Sequence, residues 1–205
     1  MKALIIANGS LPRRNIVRSL ISSCEMIICA DGGANHARRL RITPNIILGD
    51  LDSITSSTRK YFSRIPLMFI DDQYSTDLEK ALTYCIERNI GSADVIGGFG
   101  DRIDHTSGGL GCFKRFGDKL HLRLFDAHGF VSPVGKKLSL NTRKGQKLSL
   151  IPLERCTGVT TSHLKYNLDN DVLELGVQEG ISNEATASPV RIHVKKGTLL
   201  LYQFY

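Results

Sequence analysis

The chain has no tryptophan, and none of its apolar runs approaches the roughly 18 residues that a membrane-spanning helix requires. With 205 residues and a hydrophobic fraction of 41%, it is long enough to bury a proper core without disulfides, so no membrane is expected as a partner. Its cysteines, Cys24, Cys29, Cys85, Cys112 and Cys156, show no C-x-x-C spacing. Odd in number and mostly set among apolar residues, they read as reduced core thiols and predict a cytoplasmic protein. No two histidines stand at H-x-x-x-H, which argues against a zinc site. The apolar stretch that follows Met1 is too short for a secretory leader and predicts a buried first strand.

A formal net charge of +7 raises the question of nucleic acid. The basic residues fall in isolated pairs such as Lys136-Lys137 and Lys195-Lys196, without interleaved aromatics, so a solvated basic face is expected and no nucleic-acid partner.

Up to about residue 126 short apolar runs alternate with amphipathic stretches, the pattern of a mostly parallel, Rossmann-like sheet flanked by helices. Strands are predicted over 3–6, 26–30, 46–48, 67–70, 94–96 and 120–125, and helices over 12–21, 33–40, 55–62, 77–88 and 105–116. Thr76-Asp77-Leu78-Glu79 has the form of a capping box, and Ala81, Leu82, Cys85 and Ile86 continue an apolar face at helical spacing. Residues 127–135, with two glycines and a proline, predict a boundary. Beyond it, β-type runs over 148–151, 158–161, 172–175, 190–194 and 198–204 predict a small all-β sandwich. The expected division is an α/β domain over 1–128 and a β-sandwich domain over 129–205.

In an open α/β sheet, ligands bind beyond the carboxyl ends of the strands. Aspartates stand at four successive strand ends: Asp31; Asp50 and Asp52; Asp71, Asp72 and Asp77; and Asp101 and Asp104. If the chain stays extended through Leu51, Asp50 and Asp52 point the same way while Leu51 points into the core. Crowded carboxylates repel one another, and a shared cation relieves the repulsion; a few hard oxygen ligands suit Mg2+ completed by substrate phosphates. Asp77 offers a further carboxylate, although an acid in a first helical turn also suits the helix dipole, and Asp104 also suits a cap. Gly97, Gly98 and Gly100 precede a helix start that favours phosphate, and Arg102 beside them can clamp one. The segment lacks the last glycine of G-x-G-x-x-G, and no G-x-x-x-x-G-K-[ST] occurs, which excludes two common nucleotide-binding designs.

With these residues in view the sequence resembles the thiamine pyrophosphokinase family over nearly its whole length. Five ordered blocks carry the resemblance: Ala30-Asp31-Gly32-Gly33-Ala34-Asn35, Gly49-Asp50-Leu51-Asp52-Ser53-Ile54, Thr76-Asp77-Leu78-Glu79-Lys80-Ala81-Leu82, residues 98–105, and Ile181-Ser182-Asn183-Glu184. The resemblance implies an N-terminal α/β domain, a C-terminal β-sandwich, and a homodimer with shared active sites. It implies transfer of diphosphate from ATP to the hydroxyethyl group of thiamine, giving thiamine diphosphate and AMP. It implies Mg2+ on Asp50, Asp52 and Asp77, with Asp31 and Asp104 completing the acidic site and Asp104 a candidate proton acceptor. Gln73 and Thr76 match positions near the nucleotide phosphates, and Ser182 and Asn183 match the segment that meets thiamine. The chain departs from its relatives at Tyr74, where aspartate is common, and at Ala185, where a bulkier residue is frequent.

Overall fold

Most of the short apolar runs of the first half become parallel strands because their residues are buried on both faces, where alternation gives way to continuous hydrophobicity; the run over 67–69 is an exposed edge strand. The computed structural model describes residues 1–99 and 102–205, so Gly100 and Asp101 of the glycine segment lie outside the described residues. In chain order the first elements are β1 (Lys2–Ile6), α1 (Arg14–Ser23), β2 (Met26–Ala30), α2 (Gly33–Leu40), β3 (Ile46–Gly49) and α3 (Ser56–Tyr61). They continue with β4 (Leu67–Phe69), α4 (Asp77–Glu87), β5 (Ser92–Ile96), α5 (Ile103–Phe116) and β6 (His121–Phe125).

Their strands lie in the order β4-β3-β2-β1-β5-β6, all parallel. The winding runs outward from β1 to β4, then returns through α4 to the other side of β1. The switch point therefore lies between β1 and β5, where a doubly wound sheet opens a crevice for ligands. Ala3, Leu4, Ile5, Ile6, Ile28, Ile47, Leu48, Val95, Ile96, Leu122 and Leu124 are buried and form the centre of this unit. One acid is buried in the sheet itself: Asp94 accepts from both Nε and Nη2 of Arg123 at 2.7 and 2.8 Å and lies 2.7 Å from Lys2 Nζ, tying β5 to β6 and β1.

Helix α4 starts as the capping box requires. The Thr76 hydroxyl accepts from the Glu79 amide at 3.3 Å, and the Glu79 carboxylate accepts from the Thr76 amide at 2.8 Å. Arg115 of α5 donates to the other Glu79 oxygen at 2.6 Å, linking the two helices.

The chain divides into compact units over Met1–Ala127 and His128–Tyr205. The second unit contains β7 (Gly129–Pro133), β8 (Lys137–Leu140), β9 (Lys147–Pro152), β10 (Cys156–Ser162), β11 (Asp171–Leu173), β12 (Gly180–Glu184), β13 (Val190–His193) and β14 (Leu199–Phe204). They form antiparallel arrays β12-β9-β14-β7 and β11-β10-β13-β8. Leu148, Leu150 and Leu201 from one array share a core with Val159, Leu173 and Ile192 from the other, which makes the unit a sandwich. The predicted boundary stretch 127–135 contains a strand: β7 pairs with β14, and its proline stands at the strand end, where a missing N–H is tolerated. None of the helices among the described residues is long and apolar enough to cross a membrane.

Candidate active site

Four strand ends and the start of α4 surround a cavity of about 510 Å3. Asn8 after β1, Asp31 after β2, Asp50 after β3, Gly97 and Gly98 after β5, and Asp77 and Lys80 from α4 contribute to its wall. It lies at the switch point, where the winding of the sheet directs a ligand.

At its base the carboxylates of Asp31, Asp50 and Asp77 offer oxygens that all lie within 4.8 Å of one another. Local backbone strain brings them there. Asp31 adopts φ +41°, Gly49 φ +138° and Leu51 φ +62°, three left-handed conformations in two adjoining loops. Such conformations persist where surrounding structure holds them, typically at functional sites. Asp31 is nearly inaccessible at 3% and accepts from the Ser53 amide at 3.3 Å. Burial is the main cause that pushes its carboxyl above the ordinary range, and the nearby Asp77 and Asp50 charges push the same way. In the cation-free protein, ionised Asp31 therefore costs stability above its ordinary pKa, a penalty that a bound cation reverses.

The left-handed Leu51 corrects the extended geometry expected between Asp50 and Asp52. The strand ends at Gly49, Leu51 stays half-buried, and Asp52 is exposed with its carboxylate accepting from the Ser53 hydroxyl at 2.9 Å. Its amide approaches Asp50 Oδ1 at 3.4 Å, the turn-like contact of an aspartate two residues back. The carboxylates that converge within 4.8 Å are those of Asp31, Asp50 and Asp77, with Asp52 at the exposed edge of the same loop.

Lys80, which sequence reasoning missed, reaches the same acids. Its ammonium lies 3.0 Å from Asp77 Oδ1 and 3.9 Å from Asp50 Oδ2, on a residue only 5% exposed. The available signal was its spacing of three from Asp77, which puts the two side chains on one side of the helix.

The remaining expected residues divide. Gln73 and Gly98 line the cavity. Thr76 lines it too, but its hydroxyl is engaged in the helix cap. Asp104 lines it from the first turn of α5, which starts at Ile103, two residues before the expected start. Arg102 meets no such wall; its guanidinium grips Asp104 through Nε at 3.1 Å and Nη2 at 2.5 Å. That hydrogen-bonded pairing lowers the Asp104 carboxyl to about 2.

Ser182 and Asn183 lie on β12 of the second unit. The Asn183 side chain is occupied. Its oxygen accepts from the Tyr166 and Glu184 amides at 3.1 and 2.9 Å, and its nitrogen donates to the Tyr166 carbonyl at 2.8 Å. Only 4% exposed, it pins the segment around Tyr166 to β12. Ser182 is exposed, with φ +57° and its amide held by the Ser149 hydroxyl at 3.0 Å. Asn183→Ala should therefore lower stability by about 2 kcal/mol, because buried backbone groups lose their partners. Chemical denaturation reads this directly, and an unchanged midpoint would remove Asn183 from its pinning role.

Fold and acids together define a class: α/β proteins with an acidic, cation-ready pocket at the switch point, suited to the chemistry of nucleotide phosphates. Residues 17–124 match the thiamin pyrophosphokinase catalytic domain and residues 136–199 the thiamin pyrophosphokinase vitamin B1 binding domain. The chain belongs to the thiamin pyrophosphokinase family. Its sequence is 29% identical over 219 residues to thiamine pyrophosphokinase 1 of Oryza sativa subsp. japonica, covering 93% of this chain and 82% of the relative. It is 28% identical over 203 residues to thiamin pyrophosphokinase 1 of Caenorhabditis elegans, covering 92% and 82%. The fold matches the crystal structure of thiamine pyrophosphokinase from Bacillus subtilis with a TM-score of 0.86 at 23% identity, covering 100% of this chain and 99% of that one. For thiamin pyrophosphokinase from Candida albicans the TM-score is 0.88 at 18% identity, with 100% and 89% covered.

Proposed function

We propose that the acidic cavity takes the phosphates of ATP together with Mg2+, and that the β-sandwich unit recognises thiamine. The chain forms thiamine diphosphate from thiamine with ATP as donor, the activity its family carries. The observation that carries the site assignment is the convergence of Asp31, Asp50 and Asp77 at the switch point. Three hard, anionic oxygen donors a few ångströms apart fit Mg2+, which leaves further positions for water and phosphate. Asp50 and Asp77 are its proposed ligands with Asp31, while Asp52 stands at the exposed edge of the same loop. When bound, the cation supplies neutralisation of phosphate charge.

In the proposed reaction the thiamine hydroxyl oxygen bonds to the β-phosphorus, the bond from that phosphorus to the oxygen it shares with the α-phosphate breaks, AMP leaves with that oxygen, and the hydroxyl proton is released to solvent. Little covalent work falls to the protein, whose residues orient the triphosphate and exclude water. Gln73 and the backbone around Gly98 and Thr76 serve the phosphates. Asp104 lines the cavity and pairs with Arg102, which makes Asp104 a positioning group in this reading.

The exposed Leu175, Val177 and Ile181, at 77%, 74% and 65%, support a homodimer that covers them. The exposed, strained Ser182 beside Ile181 is then the thiamine-facing member of its pair, brought to the partner's nucleotide. The free cysteines suit a reducing compartment, the cytoplasm. AMP release from ATP, followed with and without thiamine on a sample whose mass is measured by light scattering, tests the reading. The expected result is thiamine-dependent AMP from a dimer. AMP formed equally without thiamine would make the protein a nucleotide hydrolase, and an active monomer would remove the shared site.

A further inference from the structure

The cavity presents five aspartates, Asp31, Asp50, Asp72, Asp77 and Asp104; among its described lining residues, Lys80 alone is a lysine or arginine. Helix α4 buries Leu78, Ala81, Leu82 and Cys85 toward the core. Lys80 is buried as well, although an apolar residue would serve if packing were the only requirement. Taking an ammonium out of water is costly unless anions surround it. Here they do, with Asp77 at 3.0 Å and Asp50 at 3.9 Å. The Lys80 ammonium thus meets two of the three carboxylates that make the cation-ready cluster. A compact charge on a flexible four-carbon stem can also turn from a carboxylate to a phosphate without a change in the helix.

We infer that Lys80 is a tethered cation that neutralises the Asp31, Asp50 and Asp77 cluster in the nucleotide-free protein, and that a divalent cation enters with the nucleotide by displacing the ammonium onto the phosphates. The inference rests on the reading of this cavity as the metal and ATP site. It makes Lys80 a positioning residue that sets the order of loading. A cation arriving alone competes with a charge already in place. A cation arriving with a triphosphate gives Lys80 a new anionic partner as it leaves the old ones.

Binding of Mn2+, followed by electron paramagnetic resonance on the full chain with and without ATP and with thiamine absent, tests this independently of turnover. Without ATP, Lys80→Met should bind Mn2+ about tenfold more tightly than the parent, since the competing charge is gone. Lys80→Arg, which keeps the charge, should stay near the parent and serves if the methionine variant fails to fold. Adding ATP should tighten Mn2+ binding in the parent more than in Lys80→Met. Equal or weaker Mn2+ binding by Lys80→Met in the absence of ATP overturns the inference, as does tenfold tighter binding by Lys80→Arg. If Mn2+ binds none of the proteins even with ATP, the metal reading of the cavity fails and takes the inference with it.

Discussion

Asp77→Asn should lower turnover by roughly 10²- to 10³-fold at saturating Mg2+ and ATP, and Asp50→Asn should do the same. Each change is nearly isosteric but removes one of three anionic donors from a cluster whose oxygens fall within 4.8 Å of one another. The loss should appear in turnover rather than in thiamine affinity, because these acids belong to the phosphate end of the proposed site. Stability of the metal-free protein should move by less than about 1 kcal/mol, with opposing contributions. Asp77→Asn loses the ion pair with Lys80 and a favourable first-turn charge on α4, yet it also relieves repulsion within the cluster. Thermal unfolding in chelator and steady-state AMP formation provide the two readouts. Near-parent turnover in both variants would mean that the cluster is structural and the phosphates bind elsewhere.

Much of this arrangement was legible because local and long-range signals agree. Strands β1 and β2 are apolar runs buried on both faces, and α4 carries its own start signal in Thr76 and Glu79. Strand β12 escaped notice for an equally physical reason. Ser182 is left-handed and the pairing with β9 shifts between Gly180 and Asn183, so the alternation that marks a strand is interrupted. The acids were found from their position after strands, and the resemblance already placed Asp31 with Asp50 and Asp77 in one acidic site, but the sequence does not set which oxygens converge. Spacing in sequence puts Asp52 with Asp50; the left-handed turn at Leu51 breaks the extended geometry assumed between them, and the oxygens that converge are those of Asp31, Asp50 and Asp77. Lys80 was missed because a helical lysine is ordinarily solvated, and nothing in the local sequence tells that this side of α4 faces an acidic cavity.

Gly49→Ala should reproduce much of the aspartate phenotype without removing any charge. Gly49 ends β3 at φ +138°, a conformation that L side chains rarely adopt, so any replacement carries a backbone penalty of roughly 1–3 kcal/mol. A methyl group there also meets the cluster itself: its carbon would lie 2.8 Å from Asp77 Oδ1 and 3.0 Å from the Asp31 Cβ. Asp31 is nearly inaccessible and held by the Ser53 amide, so the more exposed Asp77 carboxylate is the group that gives way. That motion pulls it off Lys80 and out of the triad. Displacement of a positioned group by about 1 Å commonly costs about 10²-fold in rate, and a turnover loss of that size is expected here. Gly135→Ala separates the two contributions, since Gly135 also has positive φ, +65°, but an added Cβ meets nothing within 4 Å. It should lose stability and keep its turnover. If Gly49→Ala behaves like Gly135→Ala, losing stability alone, then the contact between the β3 end and Asp77 does not set the geometry of the acidic cluster.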